Sequence, residues 1–345
     1  MAAIDLHTHI LPERWPDLRE RYGCGGWVNL EHCGNCRARM MIDGRHFRDI
    51  ESNCWDPGRR LRECDAAQVT TQVLSTVPVM FSYWAKPEHA LDLSRFLNDH
   101  LAGIVRDHEC PHRRGPRRFE GLGTIPMQSP ELAVRELERC VGELGLRGVQ
   151  IGTHVDAPDG IRNLEDAQVF PVFEAAAALG AAVFVHPWDM MGKERMPKYW
   201  LPWLVGMPAE TALAICSVIF GGVLERLPSL RVGFAHGGGS FPITIGRIEH
   251  GWRERPDLCA IDNPNNPRDS VRRVYFDSLV HDADALRYLI HLAGVERVAL
   301  GSDYPFPLGE LVPGQLIRSM PDLDDAARAR LLHGTASEFL GLPER

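Results

Sequence analysis

Short apolar runs recur along the chain, and between them apolar positions return every third or fourth residue. The runs are Ala2–Leu6, Val69–Ser75, Phe119–Ile125, Gly148–Gly152, Ala181–Val185, Arg231–Ala235, Val274–Asp277 and Val298–Gly301, mostly rich in Val, Ile and Phe. They are apolar throughout rather than alternating, as strands are when both faces of a parallel sheet are covered. The segments between them read as helices. Ser129-Pro130-Glu131 is a start signal, with a capping serine and a proline at the first helical position. Val134, Leu137, Val141 and Leu144 then make one stripe, and Gly145 ends it. Pro87–His108, Glu165–Leu179, Pro208–Leu227, Asp282–Leu292 and Leu323–Leu332 follow similar patterns, and Phe241–Trp252 is the helix expected after the sixth strand. Eight strand–helix units predict an α/β protein, a (β/α)8 TIM-type barrel. No repeat or linker divides the chain, so residues 1–345 are expected to form one domain.

The pattern breaks once. More than sixty residues separate the first two strands, far beyond an ordinary strand-to-helix connection. Residues 10–66 are therefore expected to form an inserted flap over the catalytic face. Trp27, Phe47, Arg48 and Trp55 within it argue for folded structure rather than a linker.

Composition narrows the function classes. A chain of 345 residues, 44% of them hydrophobic, is ample for so large a core, and a net charge of −8 argues against wholesale nucleic-acid binding. The basic run His112–Arg118 is broken by Gly115 and Pro116 and reads as a solvated loop. Nine scattered cysteines, and an N-terminal apolar stretch interrupted by Asp5, His7 and His9, predict free thiols in a reducing, cytoplasmic compartment. Cys33-Gly34-Asn35-Cys36 has the spacing of a redox or zinc pair, but no second pair follows, and incidental loop cysteines are the simpler reading. The apolar stretch Leu204–Leu224 contains Pro208 and Glu210 and reads as a buried helix, not a membrane span.

Candidate chemistry falls at the strand ends. In Ile4-Asp5-Leu6-His7-Thr8-His9 the two histidines are two residues apart, so on an extended strand they point the same way. Strand five runs into His186, strand six into His236-Gly237-Gly238-Gly239, and strand eight into Ser302-Asp303. On a barrel these meet at one rim, where such folds keep their chemistry. The arrangement resembles the amidohydrolase superfamily. His7, His9, His186 and Asp303 supply three neutral nitrogens and a carboxylate, a good zinc shell. Superfamily members with two metals bridge them from strand four, but Val149-Gln150-Ile151-Gly152 offers neither lysine nor glutamate, so one metal is expected. His236 is left over, as general base toward a water at the metal. A fifth ligand or a packed core histidine is the alternative. The triple glycine, which lets something approach the backbone, favours the base.

The resemblance extends along Ile4–Pro12, Asn53–Pro57, Leu74–Lys86, Gly121–Met127, Gly148–His154, Val185–Met190, Tyr199–Glu210, Ala235–Gly239 and Gly301–Glu310. Over nearly the whole chain it is similar to the 2-amino-3-carboxymuconate 6-semialdehyde decarboxylase family. That implies non-oxidative decarboxylation in tryptophan (kynurenine) catabolism, on one Zn2+ with no organic cofactor and a small dicarboxylate as substrate. It implies substrate-binding arginines at Arg48, within His46-Phe47-Arg48, and at Arg247. It also implies a homodimer, with Arg247 serving the neighbouring subunit. Arg247 lies eleven residues past His236, a helical advance of about 16 Å that carries it off its own rim. A surface salt bridge is the alternative for either arginine, and is the reading for Arg59, Arg60 and Arg62. Phe81, Trp188, Trp203 and Phe306 are pocket walls or plain core, with Trp203 and Phe306 favoured as walls. Cys110–Arg117 and Asp156–Asn163 are longer than the family pattern, and the Cys33–Cys36 loop departs from it, none of them in a motif. The same barrel and metal could hydrolyse a lactone or amide, or decarboxylate a hydroxybenzoate. Arg48, Arg247 and the length of the match separate those readings. A non-catalytic scaffold predicts loss of a ligand, and all five rim residues are present.

Overall fold

A computed structural model describes residues 2–108, 117–157 and 159–343. Eight strands run β1 Ile4–Ile10, β2 Thr71–Thr76, β3 Phe119–Gly123, β4 Gly148–Gly152, β5 Ala182–His186, β6 Arg231–Phe234, β7 Tyr275–Asp277 and β8 Val298–Ala299. They lie side by side in chain order, every pair parallel. The Leu6 N–H donates to the Leu300 carbonyl (2.8 Å) and Thr8 bridges Tyr304, which closes the sheet into the expected barrel. β1 runs four residues past its expected end at Leu6, so His7 and His9 sit within the strand rather than beyond it. A register shift between Asp5 and Thr8 accompanies them.

The helical ring departs from the sequence pattern in four places. The helix expected from Glu165 begins only at Phe170. The one expected over Pro208–Leu227 splits into Met207–Phe220 and Val223–Arg226, with Gly222 left-handed between them. Ser129 occupies the capping position of Pro130–Gly142 but makes no capping hydrogen bond, and the buried face is Ala133, Glu136, Leu137 and Cys140. The C-terminal pattern runs through a wide turn at Arg330–Gly334 into Thr335–Leu340, whose Phe339 packs against Phe184 and Tyr275. Pro202–Phe220 is long and apolar enough to cross a membrane, yet half of that window is buried within the protein. Buried Glu210 there hydrogen-bonds His154 (2.8 Å), which suits a barrel helix.

The insertion is folded. A short helix, Leu18–Tyr22, precedes a three-stranded antiparallel sheet of Val28–Gly34, Arg37–Ile42 and Arg45–Glu51. Leu11, Trp27, Met40 and Ile50 pack with Val77, Met80, Leu93 and Phe306 of the barrel in a second apolar core. Cys33 lies near the end of the first flap strand and Cys36 in the hairpin turn after it; both are unpaired, as are all eight described cysteines. Asp156–Asn163 lies in a small hairpin with one residue outside the described set, and most of Cys110–Arg117, with His112–Pro116 of the basic run, lies outside it too.

Helix Pro57–Ala66, the last part of residues 10–66, packs on the barrel wall. Arg59 pairs with Glu51 and Glu63 at the surface as expected, and Arg62 is exposed. Arg60 does not follow that reading. It is wholly buried, one helical step round, and donates to the His9 carbonyl (2.6 Å), the Asn53 carbonyl (2.9 Å), Thr8 Oγ1 (3.0 Å) and Gln72 Oε1 (3.1 Å). Its guanidinium lies 4.7 Å over the Tyr304 ring. Truncation strands those acceptors, so Arg60→Ala is expected to cost about 3–5 kcal/mol. The thermal midpoint should fall by roughly 4–7 °C, and Arg59→Ala, measured alongside, should change it little. Equal midpoints for the two variants would contradict this role.

Candidate active site

The donors converge from three strand ends. His7 and His9 project from β1, His186 is the last residue of β5, and Asp303 follows β8 on a left-handed backbone (φ 57°). One ligand atom from each lies within 4.8 Å of every other. Hydrogen bonds on the far side of each ring set the tautomers. His7 Nδ1 faces Asp277 Oδ2 (2.7 Å), His9 Nδ1 the Thr76 carbonyl (3.0 Å), and His186 Nδ1 the Pro187 carbonyl (2.7 Å). Each Nδ1 therefore carries the proton, and each Nε2 turns a lone pair inward. The His7 and His9 Nε2 atoms sit 3.1 Å apart, Asp303 Oδ1 is 3.0 Å from His9 Nε2, and buried His186 Nε2 has no partner. Lone pairs facing one another without a proton between them call for a cation. Tetrahedral zinc, bound at about 2.0–2.1 Å, spaces its ligands by about 3.3 Å. The donor set fits one such ion.

Electrostatics keep His9 and His186 neutral and Asp303 charged, and pull His7 the other way. Burial holds the His9 pKa below its usual value, and burial with the surrounding rings drives His186 well below. Burial also opposes charge on His7, but the Asp277 hydrogen bond and the Asp303 and Asp277 charges carry its pKa up. For Asp303, burial raises the pKa, but the closeness of the His9, His7 and His236 rings outweighs it and keeps the carboxylate ionised.

His236 stands beside this group. Its ring centre lies 4.9 Å from that of His186, and its Nε2 is 4.0 Å from Asp303 Oδ2. Its Nδ1 has no hydrogen-bond partner among the described residues, and burial pushes its pKa down to about 4, which leaves it a proton acceptor at neutral pH. The triple glycine has a different reason from the one expected. His236, Gly237, Gly238 and Gly239 all have positive φ, and side chains on the glycines would strike Val280, Phe276 and Pro208. What approaches this backbone is the protein itself.

The cleft beside the donors is open to solvent and is walled by Trp188, Met190, Trp203, Met207 and Phe306. Arg48 reaches it from the flap, its guanidinium 4.4 Å over the Phe306 ring and in no ion pair among the described residues. Phe81 is not a wall: it is buried and stacked on Tyr83. Arg247 does not line the cleft. It lies exposed on helix Phe241–Glu254, one turn after Ile243, which is 74% exposed.

Gln150, read in the sequence as offering no bridge, is spent on neighbours, donating to the Thr76 carbonyl (3.1 Å) with its oxygen 2.6 Å from Ser75 Oγ. One polar group escaped the sequence reading: Asp277, wholly buried at the end of β7, holds His7. A lone acid closing an apolar strand was its only signal.

The amidohydrolase family model matches residues 4–342. The chain is 60% identical to the 2-amino-3-carboxymuconate-6-semialdehyde decarboxylase of Dictyostelium discoideum, over 98% of this chain and 91% of that one. This sequence belongs to that decarboxylase family, within the amidohydrolases. Identity to the protein of the same name from Caenorhabditis elegans is 38%, over 99% of this chain and 94% of that one. Among solved structures, 5-carboxyvanillate decarboxylase from Sphingomonas paucimobilis aligns with a TM-score of 0.74 at 28% identity, covering 85% of each chain. The family is one of metal-dependent decarboxylases, and the chain is an enzyme of that class.

Proposed function

We propose that the enzyme converts 2-amino-3-carboxymuconate 6-semialdehyde to 2-aminomuconate 6-semialdehyde and carbon dioxide, a step of tryptophan catabolism by the kynurenine route. The observation that carries the reading is Arg48, a guanidinium with no ion-pair partner among the described residues, facing four donors that could hold a metal across one cleft. Zinc held by His7, His9, His186 and Asp303 would supply the Lewis acidity that makes water a nucleophile near neutral pH. His236 takes the proton of the attacking water at Nε2 and returns it to the carbon that bears the departing carboxylate; when carbon dioxide leaves that carbon, the electrons it leaves behind expel the added hydroxyl from the neighbouring carbon as hydroxide. Arg48, held flat against Phe306, grips a substrate carboxylate with two parallel hydrogen bonds. Trp203 and Phe306 keep bulk water from the reacting carbons.

The unit we propose is a homodimer in the cytoplasm. Ile243 is an exposed apolar side chain with Arg247 one turn beyond it on the same helix, and Leu204 and Val205 are exposed apolar side chains elsewhere on the chain, features suited to contact with a second copy. Unpaired cysteines support a reducing compartment.

Zinc-loaded protein should consume the substrate's near-ultraviolet absorbance with release of carbon dioxide, and leave γ-resorcylate, 5-carboxyvanillate and simple lactones unchanged. Faster turnover of any of those would overturn the substrate assignment. Because Gln150 offers no bridge, metal analysis should find about one zinc per chain. Two zinc ions per chain, both needed for turnover, would contradict the single site.

A further inference from the structure

The Asp277 carboxylate lies behind the metal donors and outside the cleft, touching neither the place of the ion nor that of the substrate. Four donors surround it. Oδ2 accepts from His7 Nδ1 (2.7 Å) and from the His236 N–H (2.9 Å). Oδ1 accepts from the Gly237 N–H (2.7 Å) and the Leu279 N–H (3.1 Å). One rigid group thus joins a metal donor on β1 to the left-handed turn that carries the base after β6. Gly301 presses on the pair so closely that a side chain there would meet Asp277 Cβ at 2.7 Å and His7 Cβ at 2.8 Å.

We propose that Asp277 is the positioning residue that locks His7 and the His236 turn to each other, so that donor and base are placed by a single carboxylate. Every donor around it needs an acceptor. An asparagine offers one acceptor oxygen and turns an NH2 toward the other donors, so it cannot replace the acid although the size is the same. Loss of the lock should loosen the His7 ring and misplace His236. Outer-shell partners of metal-ligating histidines typically contribute 10–100-fold in metal affinity. A misplacement of about 1 Å in the base can cost as much as 10²-fold in rate.

The rate half of this proposal rests on His236 as base, and the metal half does not. Asp277→Asn should bind zinc 10–100-fold more weakly in competition with a chromophoric chelator, a measurement that needs no substrate. At saturating zinc its kcat should fall at least tenfold while KM stays within twofold. In a His236→Ala background the same substitution should weaken zinc equally but change kcat less than threefold, because the group it places is gone. A merely structural role predicts the same loss of kcat in both backgrounds, and that result would overturn the proposal. Unchanged zinc affinity would overturn it as well. If His236→Ala alone keeps its rate, the base assignment has failed, and the zinc measurement decides Asp277 by itself. Should Asp277→Asn not fold, Asp277→Ser, with room for a water to accept the orphaned protons, takes its place with the same outcomes.

Discussion

His236→Ala protein is expected to keep its metal and to turn over roughly 10²–10⁴-fold more slowly, the usual contribution of a general base. The two halves of that expectation have separate grounds. Metal retention follows from the donor geometry, because the four mutually close ligand atoms come from His7, His9, His186 and Asp303 and need nothing from His236. The rate loss follows from the state of the ring. Burial keeps it neutral at physiological pH, and its Nε2 lies 4.0 Å from the Asp303 carboxylate, near enough to meet a water at the ion. Metal analysis and kcat on one preparation check both. Zinc lost along with activity would make His236 a ligand; zinc kept with activity would make it a packed core residue.

Arg48→Ala and Arg247→Ala homodimers should each be nearly inactive, and mixing them should restore activity that neither has alone. Arg48 lines the cleft of its own chain, whereas Arg247 sits exposed on a helix that leaves the rim. If every site draws Arg48 from one chain and Arg247 from the other, a mixed dimer holds one site with both arginines and one with neither. At equal concentrations and free exchange, half of the dimers are mixed and carry one working site each, so about a quarter of wild-type activity should return. Exchange is followed independently with differently tagged chains. Exchange without recovered activity would rule out the shared site and leave Arg247 a surface charge.

The barrel was legible because its strands are covered on both faces, so each stands out as an apolar run wherever the helices between them begin. His7 and His9 were legible only in company: two imidazoles on one face of a strand are common by chance, and His186, His236 and Asp303 at the other strand ends single them out. Asp277 was not. It looks like any acid closing a strand, and its partner His7 lies 270 residues away, so only the closed ring shows what it faces. Arg60 was hidden by its neighbours, since in Arg59-Arg60-Leu61-Arg62 only the rotational setting of the helix decides which arginine faces inward. The flap was recognised as folded from its aromatic residues. Its three strands were missed, however, because their pairing is exposed along one side and their apolar positions are few. The shape of the triple glycine was misjudged because sequence shows room without showing what fills it.

Arg60 has a further consequence for anyone who would redesign this enzyme. The segment that carries Arg48 invites treatment as an exchangeable cassette, to be grafted from one relative to another to change which acid is recognised. Its exit, at the Asn53 carbonyl, is gripped by the same guanidinium that holds the carbonyl of His9, and its apolar side shares Phe306 with the cleft wall. A graft that shifts the exit by an ångström therefore pulls on a metal donor before it alters any contact with substrate. Specificity at this site has to be re-engineered within the flap, side chain by side chain, with both of its anchorages left in place.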